Sequence, residues 1–203
     1  MLTLIHAPMS RSTRIVQLLE ALNARDKVEI RIVDIPRADG SGGPDPKNPH
    51  PEKKVPLLLH DGQMIRESNA IMVHLTTLFP DAGLAPIPGT PEHGAYLSWM
   101  AYYGNVMEPV IVGAVAGLSH PILDKSFRGP SEMHAMLASA LETQPFLMGE
   151  RYSAADMLLA SPFLWFRQAM PDVAIIQDWA ARCEAHPSYA AARAYDGPLA
   201  QAS

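Results

Sequence analysis

Apolar residues recur along this chain at two different spacings, and the change from one to the other divides it. Leu2 to Ile5 is a short unbroken apolar run closed by Pro8, and Ile15, Leu18, Leu19 and Leu22 then recur at i, i+3, i+4 and i+7. These predict a strand followed by a helix with one apolar face. Val28-Glu29-Ile30-Arg31-Ile32-Val33 alternates like a half-buried strand. Two strands joined by a helix make a βαβ unit, for which parallel pairing and a right-handed crossover are expected. Prolines at 36, 44, 46, 49, 51 and 56, with three glycines, make the next segment an irregular surface loop. Leu57-Leu58-Leu59 predicts a third strand, Asp61-Gly62 a hairpin turn, and Gln63-Met64-Ile65 the returning strand. Ser68 reads as the cap of a helix whose Ile71, Met72, Leu75, Leu78 and Phe79 share a face.

Residues 80–91, PDAGLAPIPGTP, are the best candidate linker. Beyond them Ala, Leu and Met dominate at helical spacing, as in Tyr96, Trp99, Met100 and Tyr103. Helices are expected near 91–118, 130–143, 154–169 and 173–185, with a short terminal one near 187–194. Trp165 and Phe166 read as core. The predicted fold class is α/β over residues 1–79 and all-α over residues 92–203.

Composition changes the picture mainly by exclusion. Of 203 residues 48% are hydrophobic and 18% charged, so the chain buries a real core. No stretch approaches the roughly 18 apolar residues of a membrane span. The net charge is −5 and the 16 Lys and Arg are scattered, which argues against nucleic acid as a partner. One cysteine, Cys183, makes no internal disulfide. With no leader-like pattern at the start, this gives the expectation of a cytoplasmic protein. The eight histidines lack ligand spacing, so no metal site is expected.

Three motifs carry candidate chemistry. Lys53-Lys54-Val55-Pro56 places a proline where a strand begins, which is ordinary at an edge but also fits a cis Val55–Pro56 bond that turns the Val55 backbone outward to pair with a peptide ligand. Glu67-Ser68 precedes a helix, where a hydroxyl and free amides bind a carboxylate and Glu67 offers a charge for an ammonium. Together they fit one end of a zwitterionic peptide. Ser153-Ala154-Ala155-Asp156 is a capping-box variant.

In this order, the βαβ–ββα pattern, Val55-Pro56, Glu67-Ser68, the linker and Ser153–Asp156 resemble a cytosolic glutathione S-transferase over essentially the whole chain. The resemblance implies a thioredoxin-like glutathione-binding domain, an all-helical domain lining a pocket for a small hydrophobic electrophile, and a homodimer. It implies that Val55 pairs with the cysteinyl backbone of glutathione, beside Pro56, and that Glu67 and Ser68 hold the γ-glutamyl group. Lys53 or Lys54 would neutralise the glycyl carboxylate, unless they form a solvated charge run. Tyr103 and Asn105, with Met9, would contribute to the electrophile pocket. The implied activity is a detoxifying conjugation. Glutathione-dependent isomerisation, peroxide reduction, or a non-catalytic role in binding ligands or partners are the alternatives.

The thiol-activating position in that family lies between the first strand and helix, here His6-Ala7-Pro8-Met9-Ser10-Arg11-Ser12-Thr13. It holds neither tyrosine nor cysteine, which leaves a serine-type assignment. Ser10 is the first choice and Ser12 the second, with Ser12 also fitting a plain helix cap. Backbone amides of Ser10 and Arg11 are a third route, and Arg11 is either electrostatic help or a surface charge.

Overall fold

The computed structural model describes residues 1–201, which form two compact units. The first combines residues 1–82 with the chain's last helix, and the second spans residues 83–186.

In the first unit, β1 (Leu2–His6), β2 (Val28–Ile32), β3 (Leu57–His60) and β4 (Gln63–Ile65) form one sheet in the order β2-β1-β3-β4. β1 runs parallel to β2 across the helical crossover α1 (Thr13–Ala21), and antiparallel to β3. The β3–β4 hairpin turns at Asp61-Gly62, with φ of 48° and 86°. Positive φ at both positions is what a two-residue turn needs to match strand twist, and Asp-Gly adopts it at little cost. Ile5, Val33 and Leu57 pack as a buried cluster with Val55 and Leu59 against it.

Helix α2 (Ser68–Leu78) buries Ile71, Met72, Leu75 and Thr76. Its capping position falls on Glu67 and no side chain caps it, so Ser68 is the first helical residue and not the cap expected from the sequence.

The second unit is helical throughout: α3 (Pro91–Tyr102), a π-helical turn (Tyr103–Met107), α4 (Glu108–Val115), α5 (Pro121–Ser126), α6 (Pro130–Leu141), α7 (Ala154–Trp165) and α8 (Ala174–Glu184). The helix expected to reach residue 118 stops at Val115. Gly117, at φ 65°, donates to Ala114 and Leu118 donates to Gly113, which closes the helix end as glycine in the left-handed region does. Helix α5 has no buried residue, so it left no apolar periodicity for the sequence to show.

Helix α7 is buried nearly all round, and its N-terminus is the expected capping box. Asp156 accepts from Ser153 N (3.0 Å), Leu147 N (2.8 Å), Trp179 Nε1 (2.9 Å) and the Ser153 hydroxyl (2.6 Å). Burial pushes its carboxyl above the ordinary value against the pull of those donors. Phe166 stands 50% exposed past the end of α7, contrary to its reading as core.

The last helix, α9 (Pro187–Gln201), is nearly twice the expected length and packs on α1, not within the helical unit. The sequence marked residue 194 as the end because Asp196-Gly197-Pro198 has the composition of a helix stop.

Cys183 is 1% exposed in α8, and burial pushes its thiol pKa well up. We expect a disulfide-type thiol reagent at neutral pH to leave the folded protein unmodified and to titrate one thiol after denaturation. Prompt labelling of the native protein would contradict the burial.

Candidate functional site

Strand register brings the sequence motifs to one end of the sheet. Ile5 pairs with Leu57 and Leu58 with Ile65, so the end of β1, the approach to β3 and the exit from β4 lie side by side. These carry the loop after His6, Val55-Pro56 and Glu67-Ser68 respectively.

The Val55–Pro56 peptide is cis. Neither the N–H nor the C=O of half-buried Val55 has a backbone partner among the described residues. Glu67 is exposed and has φ 67° and ψ 127°, outside even the left-handed helical well. A non-glycine residue held there costs about 1–3 kcal/mol, and such residues cluster at ligand clamps. Behind them the proline-rich loop is organised by buried Asn48, which donates to the Lys54 carbonyl at 3.1 Å while its own carbonyl accepts from Lys53 Nζ at 2.6 Å. Lys54 is exposed.

The loop after β1 separates the two serines. Ser12 is 0% exposed and occupies the capping position of α1, yet its side chain makes no cap bond, contrary to its plain reading as a cap. Its Oγ lies 2.7 Å from His6 Nδ1 and 2.8 Å from Ser10 Oγ, accepts from Ala7 N at 3.1 Å, and is 3.0 Å from the Ala7 carbonyl. Ser10 is only part-buried; its hydroxyl is 2.7 Å from the Ala7 carbonyl and its Oγ accepts from Ser12 N at 3.1 Å. Met9 has φ 54° and is 39% exposed, and Arg11 is exposed.

Behind the loop stands a residue the sequence did not single out. Asp196 of α9, 0% exposed, accepts from His6 Nε2 at 3.0 Å, Met9 N at 2.7 Å and the Thr13 hydroxyl at 2.5 Å. Burial pushes its carboxyl up, but the bonds from His6, Thr13 and Met9 more than offset this and hold it below its ordinary value. The carboxylate is an acceptor only, so His6 Nε2 carries a proton. In the neutral ring Nδ1 is then a lone pair, and the Ser12 hydroxyl donates to it. Ser12 Oγ is thus tied inward to His6, Ala7 and Ser10, whereas Ser10 stands at the exposed end of the network. Arg37, also missed, donates to the Pro8 carbonyl at 3.2 Å and braces the loop from outside.

Tyr103 is 3% exposed in the core of the helical unit, whereas Asn105 is exposed on the π-helical turn. The neighbouring Tyr102 is only half-buried, its ring edge-on to Trp99. Among the described residues no cluster of three or more His, Cys, Asp or Glu could hold a metal ion, and no helix is long and apolar enough to cross a membrane.

Comparison with known proteins agrees with this architecture. The family description "Glutathione S-transferase, N-terminal domain" matches residues 1–77 and "Glutathione S-transferase, C-terminal domain" matches residues 105–187, together well over half of the chain. The chain belongs to the glutathione S-transferase family. It is similar to glutathione S-transferase 3 of Schizosaccharomyces pombe, 33% identical over 111 residues, which is 55% of this chain and 44% of that protein. It is also similar to elongation factor 1-gamma of Trypanosoma cruzi, 28% identical over 130 residues, 59% of this chain and 29% of that one. The chain thus aligns with less than half the length of either curated relative. A solved glutathione transferase from Methylococcus capsulatus matches 97% of this chain and 99% of its own at a TM-score of 0.77, with 25% identity.

Proposed function

We propose that this protein is a glutathione transferase that activates the thiol of glutathione with the Ser10 hydroxyl and conjugates it to a small hydrophobic electrophile. The observation that carries this reading is the division of labour in the loop: Ser12 is fully buried with its Oγ 2.7 Å from His6 Nδ1, while Ser10 is only part-buried, so that its hydroxyl, 2.7 Å from the Ala7 carbonyl, is the one that would meet an incoming sulfur. A free thiol has a pKa of about 8.5, and a donor aimed at the sulfur lowers it by favouring the charged form.

Val55 would pair with the cysteinyl backbone beside Pro56, as an added strand does. Glu67 would meet the α-ammonium and Ser68 the α-carboxylate at the start of α2, where the helix dipole favours an anion. Of the two lysines, Lys54 is the better partner for the glycyl carboxylate, because the Lys53 ammonium already serves the Asn48 carbonyl. In the helical unit Asn105 is exposed while Tyr103 is buried, and in the loop after β1 Met9 is exposed. Arg11 adds positive charge near the sulfur. A homodimer and a cytoplasmic location belong to the same proposal.

The test is binding to immobilised glutathione together with turnover of an activated aryl chloride. Retention on the matrix and turnover above the uncatalysed rate are expected; no binding at millimolar glutathione would refute the reading. A second reading is favoured by the elongation factor relative, namely a domain that keeps the fold for docking without catalysis. It predicts turnover no faster than that of Ser10→Ala.

A further inference from the structure

We propose that the buried chain Asp196–His6–Ser12 receives the proton that glutathione loses when its thiol ionises, with Ser10 passing it inward. This deepens the reading of Ser10 as the group that meets the sulfur, and rests on it. Three contacts make the path continuous: Ser10 Oγ to Ser12 Oγ at 2.8 Å, Ser12 Oγ to His6 Nδ1 at 2.7 Å, and His6 Nε2 to Asp196 at 3.0 Å.

Before transfer the Ser10 O–H turns from the Ala7 carbonyl toward Ser12, the Ser12 O–H points toward the Nδ1 lone pair of the neutral ring, and the thiol S–H faces Ser10 Oγ. The thiol proton then moves to Ser10 Oγ as the Ser10 proton moves to Ser12 and the Ser12 proton to Nδ1. One S–H bond breaks, one N–H bond forms, both serines regain a proton, and no electron or atom leaves. Afterwards Nδ1–H points at Ser12, Ser12 O–H at Ser10 and Ser10 O–H at the thiolate.

Electrostatics favours this outcome over release of the proton to water. With a neutral ring, Asp196 is a buried negative charge behind an emerging thiolate, and like charges oppose each other. With the ring protonated, the pair is an imidazolium–carboxylate of zero net charge, and three donors are aligned toward the sulfur.

The groups facing His6 agree with such a role. From α9 they are Asp196 and the Tyr195 ring, whose centroid is 6.0 Å away; from the capping position before α1, Ser12; and its register partner on β2 is Ile32. Of these only Asp196 is charged at neutral pH, and Arg25 sits on the Tyr195 ring at 4.6 Å. His6 and Asp196 act through the serines and are positioning residues.

The experiment is calorimetric titration of the wild-type protein with glutathione at neutral pH in buffers of different ionisation enthalpy, alongside the ultraviolet absorbance of the bound thiolate. The expected result is thiolate formation with almost no proton released to buffer. The nitrogen NMR signals of His6 should move from neutral imidazole to imidazolium on binding. Ser12→Ala, which cuts the path, should restore release of about one proton per thiolate and shift the bound thiol's pKa upward. Release of one proton per thiolate by the wild type, or binding without a thiolate, overturns this inference while leaving glutathione binding intact. No binding at all overturns the functional reading and this inference together.

Discussion

Replacing Ser10 with alanine is expected to lower kcat/KM for conjugation by about 10²- to 10³-fold, the cost of removing one aligned donor from a developing anion. The loss should fall on kcat, because glutathione would be held by Val55, Glu67 and Ser68, which the substitution leaves untouched. The glutathione KM should therefore change little, and the pH at which turnover reaches half its plateau should move up toward the free thiol's value. Ser10 also accepts from Ser12 N and donates to the Ala7 carbonyl, so thermal unfolding of the variant must be measured beside its kinetics. Threonine, which keeps a hydroxyl, should restore part of the rate. Wild-type turnover in the alanine variant would remove the hydroxyl from the mechanism and assign activation to backbone amides.

Asp156→Ala is expected to destabilise the helical unit by about 3–5 kcal/mol, because it removes the shared acceptor of several buried neutral donors. What the mutation leaves behind sets the size: the Trp179 indole N–H, the Leu147 N–H and the Ser153 N–H and hydroxyl all lose their acceptor in a site closed to water. Each orphaned donor carries a desolvation cost of about 1–3 kcal/mol. For a chain of this size the transition should fall by roughly 10–15 °C. Asp156→Asn keeps an acceptor oxygen and should lie between the two. Calorimetry checks this, and a loss below about 1 kcal/mol would mean the donors find other partners.

Local patterns in the sequence marked what local physics decides. The apolar run of β1, the Asp61-Gly62 turn, Val55-Pro56 and the Ser153–Asp156 box each state their structure within a few residues, and the structure contains all four. The same periodicity that predicted a helix from Tyr96, Met100 and Tyr103 also buries Tyr103, so its use as a pocket residue set function against pattern. Serine favours the capping position, which is why Ser68 reads as a cap, but Glu67, at φ 67° and ψ 127°, takes that position and Ser68 is the first residue of α2. Asp196 was invisible for a different reason. Its partners His6, Met9 and Thr13 are between 183 and 190 residues away, and nothing near it in the sequence signals a buried carboxylate.

That distance also bears on the order in which the protein assembles. A domain encoded first usually folds first during synthesis. Here the thioredoxin-like unit is discontinuous, and the helical unit, residues 83–186, is complete in the emerging chain before α9 exists. Closing the Asp196–His6 contact spans a loop of 190 residues if the chain is unfolded. A helical unit already folded shortens that loop, which lowers the entropy of closure and favours the order second unit first, α9 docking last. The loop that carries Ser10 is thus finished by a helix made after the whole of residues 83–186, and a chain cut short before Pro187 has every residue of the proposed glutathione contacts but not the carboxylate that sets them in place.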